Sequence, residues 1–339
     1  MLYIEIDLGK LKGNLEKIAR VSGKKVIPVI KSDAYRLGAA RIAQFLAKEG
    51  VELFAVVDLQ EAVELAETGF SAAVLILNGV SLADYPVVDR YENLVMTVGS
   101  LREAVALRKH PFTRPVRIHF QIDTGMNRLG FRDIDEFREA LNVLAGSPIL
   151  RAEGIYTHFT DLENARTQVD KFTAYVREGK FEYVHCAASI AYDAIDCGNH
   201  VRVGIDLYGS QENTEQTIRV VTKPLVVWKV RKGDTVGYDR AYRAEDDELI
   251  AVLPIGYNNG FRRSLAGFPV LANNRRYPTV GKVCMNHLFV RVDESVNEDT
   301  EFIITSSELP ISEMARYLGT VPHEVLCMLN IQDKRYIGG

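Results

Sequence analysis

Residues 26–31 read VIPVIK, five apolar positions closed by a lysine. A run this short and this rich in β-branched residues predicts a strand buried on both faces. Working outward, similar runs recur at 53–57 (LFAVV), 74–78 (VLILN), 94–98 (LVMTV), 116–122 (VRIHFQI), 153–159 (EGIYTHF), 183–189 (YVHCAAS) and 201–208 (VRVGIDLY), making eight in all. Between them lie segments with helical spacing of apolar residues, among them 39–49, 59–67 and 135–145, while 190–196 is short and weak as a helix. Strands alternating with helices in this way predict an α/β fold, an N-terminal (β/α)8 TIM-like barrel over residues 9–215. A doubly wound open sheet is the competing arrangement. No G-x-G-x-x-G follows the first strand, which argues against a dinucleotide-binding version of it.

After about residue 215 the pattern changes. Strand-like runs (PLVVWKV, ELIAVLPIGY, PTVGKVCMNHLFVRVD, EFIIT) are separated by turn-rich stretches such as AGFP and ANNR, with one helical segment at 311–318. Residues 216–339 therefore read as a mainly β C-terminal domain. The opening strand, residues 1–8, precedes the barrel and is expected to join that β domain.

The chain has 339 residues, enough for a large domain and a smaller one. Hydrophobic residues make up 47% and charged residues 25%, an ordinary globular balance. The net charge of -4 gives no electrostatic reason to bind nucleic acid or an anionic membrane. No apolar run is long enough to span a bilayer, and the N-terminus lacks a signal-type basic region and apolar core. The four cysteines show no metal spacing. No metal site and no disulfide are expected, and a cytoplasmic location is.

In a barrel, chemistry belongs at the carboxyl ends of the strands. Lys31 closes the first strand. It is either a lysine emerging into solvent or a Schiff-base lysine whose pKa burial can lower. The fifth strand runs into DTGMNRLGF, a glycine-interrupted loop carrying Arg128; the sixth carries His158 and the seventh Ser189. The eighth places Arg202 among apolar residues, where a guanidinium needs a partner. Gly204 follows it and can bring backbone N–H groups close to an anion.

At these residues the chain resembles the alanine racemases, and the resemblance runs in order over nearly its whole length: IEIDLGKLKGNL, VIKSDAY, DTGMNRLGF, THF and VRVGIDLYG, then VGYDRAY, LPIGYNNGFRR and VGKVCMNHL. The resemblance implies a barrel followed by a β domain, a pyridoxal 5'-phosphate cofactor and a homodimer that shares active sites between subunits. Lys31 would carry the cofactor; Tyr35, Ser189, Gly204 and Ile205 match phosphate contacts. Arg202 matches the residue facing the pyridine nitrogen and His158 the one beside the ring. Tyr238 matches the second catalytic base, opposite Lys31. Arg128 and Met285 match substrate-carboxylate contacts, with Tyr257 at the entrance. The activity implied is isomerisation, with L- and D-alanine as the default pair and serine or a basic amino acid as the alternative.

Several positions depart from the family's pattern. AYRLG (34–38) stands where A-Y-G-H-G is usual, so Arg36 and Leu37 replace a Gly-His pair. Gln121 takes the place of a lysine that is often carbamylated to buttress the arginine, and glutamine cannot carry that negative charge. Asn286 replaces an acid, His323 a tyrosine and Ala188 an asparagine, and QDKRY replaces R-V-P-R-Y. Turnover or substrate choice is expected to differ accordingly. Three rival functions are compatible with a barrel of this kind. A pyridoxal-phosphate decarboxylase would need a glycine-rich phosphate loop and a cysteine-centred acid motif, which are missing. A non-catalytic barrel that binds the same cofactor would lack the β domain. A degenerate racemase relative with a regulatory role would bind the cofactor without turnover.

Overall fold

The computed structural model describes residues 1–186, 188–189, 191–210 and 213–339. It divides into two compact units, one of Met1–Leu11, Tyr35–Leu37 and Tyr208–Gly339, the other of Lys12–Ala34 and Gly38–Leu207. In chain order, β1 (Leu2–Asp7) belongs to the former. The latter holds β2 (Lys25–Pro28), β3 (Leu53–Val56), β4 (Ala73–Ile76), β5 (Leu94–Val98), β6 (Val116–Gln121), β7 (Leu150–Tyr156), β8 (Tyr183–His185) and β9 (His200–Val203).

These eight strands form one parallel sheet in the order β2-β9-β8-β7-β6-β5-β4-β3. Its two end strands meet through a parallel bridge between Val29 and Ala55, where the Ile30 N–H donates to the Ala55 carbonyl at 2.9 Å. The order never reverses, so the sheet has no switch point and closes into a barrel, which removes the doubly wound alternative. Strands β3, β4, β5 and β9 are buried at every residue; β3 and β4 are apolar throughout, whereas β5 carries Thr97 and β9 carries His200 and Arg202. Ile27, Leu53, Ala55, Leu75, Val95 and Tyr156 pack together in the core.

All eight predicted strands are present, with shifted ends. β2 stops at Pro28, so Lys31 lies beyond the strand instead of closing it. β7 begins and ends three residues earlier than expected, and β8 is only three residues long. The predicted helices appear as Ala39–Lys48, Leu59–Glu67 and Ile134–Leu144. Asp58 and Asp133 cap the last two by accepting N–H groups of their first turns, and Ser100 does the same for Leu101–Lys109. Segment 190–196 forms only a turn in its described part; Ile190 and Ala187 lie outside the described residues.

The other unit contains β10 (Ile218–Thr222), β11 (Val226–Val230), β12 (Thr235–Val236), β13 (Tyr242–Arg243), β14 (Glu248–Leu253), β15 (Pro269–Ala272), β16 (Arg275–Val280), β17 (Leu288–Val292), β18 (Phe302–Thr305) and β19 (Lys334–Ile337). Nine strands form one sheet in the order β11-β14-β17-β16-β15-β18-β10-β1-β19, and β12 pairs with β13 separately. The ANNR stretch is the β15–β16 hairpin turn: Asn273 and Asn274 both have positive φ, 49° and 59°, which asparagine tolerates. β1 pairs antiparallel with β10 and parallel with β19. The helix expected at 311–318 is Ile311–Leu318, and a further one, Pro322–Met328, follows it. Among the described residues no helix is long and apolar enough to cross a membrane.

Candidate active site

Lys31 opens a short helical turn, Lys31–Arg36, of unusual hand. Ser32, Asp33, Ala34, Tyr35 and Arg36 have φ of 55°, 54°, 52°, 56° and 69°. A left-handed turn of L-residues costs about 1–2 kcal/mol per residue, so it persists only where its surroundings enforce it. Those surroundings are visible. The Ala34 N–H donates to the Ile30 carbonyl at 2.8 Å, the Gly38 N–H to the Asp33 carbonyl at 2.9 Å, and the Ala39 N–H to the Asp33 carboxylate at 2.7 Å. Ala34, Tyr35 and Leu37 are buried, Tyr35 lies edge-on to Tyr208 at 5.4 Å, and the Tyr336 hydroxyl donates to the Leu37 carbonyl at 2.8 Å. Lys31 itself is half-buried at the head of this constrained turn.

Arg202, on β9, is 4% exposed. Its Nη1 donates to His185 Nδ1 and to the His185 carbonyl, both at 2.7 Å, and Nη2 donates to the Thr157 carbonyl at 2.5 Å. The guanidinium lies 4.8 Å from the ring centre of Tyr156, which itself stacks on His185 at 4.9 Å and 12°. All of these partners are neutral. Burial lowers its pKa, yet a guanidinium keeps its charge at neutral pH. A buried cation held by neutral groups leaves uncompensated positive charge inside the barrel.

Donor geometry then fixes a chain of protons. Arginine only donates, so His185 Nδ1 accepts and its hydrogen sits on Nε2. That nitrogen is 2.8 Å from His119 Nδ1, which must accept in turn, placing the His119 hydrogen on Nε2. His119 Nε2 faces Glu153 Oε1 at 3.6 Å, too far for a normal hydrogen bond and close enough for attraction. Arg117 Nε donates to the same oxygen at 2.6 Å. Burial pushes both imidazoles below their ordinary pKa, and in His185 the Arg202 charge adds to it. Burial works against the Glu153 charge, but His119 and Arg117 hold its carboxyl below the usual range.

The DTGMNRLGF loop is built around Asp123, whose carboxylate accepts the N–H groups of Gly125 and Asn127, each at 3.0 Å. The Phe131 N–H returns to the Gln121 carbonyl and the Asp123 N–H to the Phe131 carbonyl, both at 2.9 Å. Gly130 makes the crossing possible. Its φ is 119°, and a Cβ there would stand 2.8 Å from Asp123 N and Gln121 O. The loop presents Arg128 exposed, and Gln121, at the end of β6, is buried. Burial, with Arg202, Arg128 and Lys31 nearby, pushes His158 down to about 3, so its ring is neutral at pH 7. Lys31, Arg128 and Arg202 thus act on one imidazole, and their combined potential suits an anionic ligand. Ser189 sits half-buried in the turn after β8; Gly204 and Ile205 are buried at the start of the 3-10 turn Ile205–Tyr208 that follows β9.

In the β unit, three loops are knitted together. The Tyr257 and Asn258 N–H groups donate to the Cys284 and Met285 carbonyls at 3.1 and 3.0 Å, and a Cβ on Gly256 would stand 2.2 Å from the Cys284 carbonyl. Lys282 pairs with Asp239, beside Tyr238. Tyr238, Tyr257 and Met285 are 67%, 43% and 54% exposed on these loops.

The sequence singled out Arg202 but not the groups that hold it. In the sequence His185, Tyr156, His119 and Glu153 each look like an isolated polar residue in an apolar strand. The available signal is the alternation VRIHF and YVH, which puts both histidines on inward positions of β6 and β8, the strands on either side of β7.

Residues 6–212 match the alanine racemase N-terminal domain and residues 217–337 the alanine racemase C-terminal domain. The chain is 31% identical to the alanine racemase of Limosilactobacillus fermentum, covering 98% of this chain and 97% of that one. It is likewise 31% identical to the alanine racemase of Macrococcus caseolyticus, over 99% of this chain and 95% of the other. Among solved structures, alanine racemase from E. faecalis superposes with a TM-score of 0.90 at 28% identity, over 99% and 98% of the two chains. Alanine racemase from Bacillus anthracis with bound L-Ala-P gives 0.89 at 27% identity, over 100% and 96%.

Proposed function

Starting from a chain that belongs to the alanine racemase family, we propose that it interconverts L-alanine and D-alanine with pyridoxal 5'-phosphate. Relatives named alanine racemase along its full length support the substrate. The observation that carries the reading is Arg202, a buried cation with neutral partners, in the barrel whose mouth bears the half-buried Lys31. A phosphorylated, anionic cofactor fits a site with Lys31, Arg128 and Arg202 and no compensating carboxylate on Arg202 among the described residues.

On this reading Lys31 Nζ would hold the cofactor covalently, with Tyr35, Ser189, Gly204 and Ile205 around its phosphate, Arg202 toward the ring nitrogen and neutral His158 beside the ring. The bound cofactor supplies an electron sink for negative charge at the substrate α-carbon. Inversion requires proton transfer on both faces. Lys31 Nζ serves one face, and the partner subunit's Tyr238 serves the other through its hydroxyl oxygen. Arg202, fixed by three acceptors and unable to give up its proton, keeps positive charge against the ring nitrogen and disfavours protonation there. Arg128 and Met285 orient the substrate carboxylate, and Tyr257 narrows the entrance.

The homodimer is supported by the three large side chains exposed on neighbouring loops, Tyr238, Tyr257 and Met285. We assign residues 9–215 to cofactor binding, and residues 216–339 with strand 1–8 to the part that donates Tyr238. Four free cysteines fit a reducing cytoplasm.

The test is purified protein with pyridoxal phosphate and L-alanine in deuterated water. D-alanine carrying deuterium at the α-carbon is expected. Exchange without inversion would remove Tyr238 from the mechanism, and activity with serine or a basic amino acid but none with alanine would overturn the substrate. Borohydride reduction is expected to fix the chromophore to Lys31.

A further inference from the structure

The molecule carries a second reactive feature, next in sequence to His185 and built from side chains the reading above does not use. Cys186 directly follows β8 and Cys197 lies just before β9. Cys186 is fully buried and its Sγ donates to the Cys197 carbonyl at 3.0 Å, which sets the two cysteines side by side.

The backbone holds the pair in place from several directions. The Asn199 N–H donates to the Val184 carbonyl at 2.9 Å, and the Asn199 side chain accepts from the Val184 N–H at 2.9 Å and donates to the Glu182 carbonyl at 2.7 Å. Lys24 Nζ donates to the Cys197 carbonyl at 2.9 Å and pairs with Asp196 at 3.0 Å. Gly198 has φ of 72°, and a Cβ there would stand 2.1 Å from the Val184 carbonyl, so this close approach of loop to strand requires glycine. Cys197 also lines an open groove of about 350 Å³ with Phe172, Thr173, Val176, Gly198 and Asn199. Cys197 therefore borders space open to solvent, whereas Cys186 is fully buried and does not line the groove.

We propose that Cys186 and Cys197 form a modification site, a thiol pair that hydrogen peroxide converts into a disulfide. The Cys197 sulfur attacks one peroxide oxygen and the O–O bond breaks. The departing hydroxide takes the thiol proton and leaves as water, and Cys197 becomes a sulfenic acid. The Cys186 sulfur then attacks the Cys197 sulfur and the S–O bond breaks. The leaving oxygen takes the Cys186 proton as a second water. Two thiols are oxidised by two electrons and one peroxide is reduced to two waters. Cys197 acts first because it faces the groove, and its thiol is held below the ordinary range by the Cys186 hydrogen bond and Lys24, against the effect of burial. Burial pushes the Cys186 thiol up, which keeps it protonated until its neighbour has reacted. The bond closes the segment that carries Ser189, and excess thiol reopens it.

Both cysteines fall in one tryptic peptide, residues 181–202, since trypsin cuts after Lys180 and Arg202. The native full-length protein is treated with hydrogen peroxide, alkylated, digested and weighed. The expected peptide has lost two hydrogens and accepts no alkylation, and dithiothreitol restores both alkylation sites. Recovery of the doubly alkylated peptide, or a sulfinic acid on Cys197 without the bond, overturns the proposal. In Cys197→Ser, Cys186 is expected to stay reduced under the same exposure; oxidation of Cys186 at the wild-type rate would refute Cys197 as the attacking thiol. The wild-type measurement needs no variant to fold.

Discussion

His185 Nδ1 receives Arg202 Nη1 at 2.7 Å, and this one contact settles which nitrogen of His185 and of His119 carries its hydrogen. His185→Phe keeps a ring to stack on Tyr156 but removes the acceptor. Leaving part of a buried guanidinium unsatisfied is expected to lower unfolding stability by about 1–3 kcal/mol, read from urea titration. In the wild type, nitrogen NMR is expected to find both His185 and His119 protonated at Nε2. A hydrogen on His185 Nδ1 would contradict the contact.

His119, His158, His185 and His200 are all held below their ordinary pKa by burial, His200 to about 4 and His158 to about 3. In the unfolded chain each takes up a proton below about 6.5, while the folded protein leaves it neutral. The stability they contribute is therefore complete above pH 6.5 and is lost as the pH falls toward 4. The limiting slope is about 1.4 kcal/mol per pH unit for each histidine. Denaturation midpoints measured between pH 7.5 and about 4.5 check the sign; a flat profile would mean that these rings are charged in the fold.

Arg36 is exposed and has φ of 69°, at the position where the family pattern carries glycine. Arg36→Gly removes the left-handed penalty of a side-chain-bearing residue, set against glycine's larger entropy loss. A net gain of about 0.5–1 kcal/mol is expected by thermal or urea unfolding.

Gly130→Ala is expected to act in the opposite direction. The new methyl would stand 2.8 Å from the backbone of Asp123 and Gln121 at a φ of 119°. A loss of about 1–3 kcal/mol is expected, together with a raised KM as the Arg128 loop shifts. A KM equal to wild type would separate the loop's fold from substrate binding.

Tyr238 is 67% exposed and Lys31 heads a constrained turn, so their variants separate two roles. Tyr238→Phe is expected to keep its melting temperature and its visible chromophore while losing about 100-fold or more in racemisation rate. Lys31→Ala is expected to lose the borohydride-fixable chromophore altogether.

Much of this architecture was legible because local pattern dictated it. Fully apolar runs such as 53–57 predict interior strands, and their alternation with helices such as 59–67 left the barrel as the best closure. Lys31 was found for the same reason, as a charge at the end of an apolar run. Its left-handed turn was not visible, since KSDAYR contains no glycine and nothing local demands positive φ; packing of Tyr35 and Leu37 enforces it. The nine-strand order was equally hidden, because β1 finds its neighbours through contacts with residues more than two hundred positions away. The three-loop cluster of Tyr238, Tyr257 and Met285 was named from motif likeness, and hydrogen bonds between separate loops bring it together.

The pairing of Leu2–Asp7 between Ile218–Thr222 and Lys334–Ile337 has a consequence for biosynthesis. Leu2–Asp7 is synthesised more than three hundred residues before Lys334–Ile337, and until that partner arrives its backbone donors on one flank stay open to any passing β edge. Trimming the final residues would leave that flank permanently bare, and self-association of the shortened protein is the fault to look for.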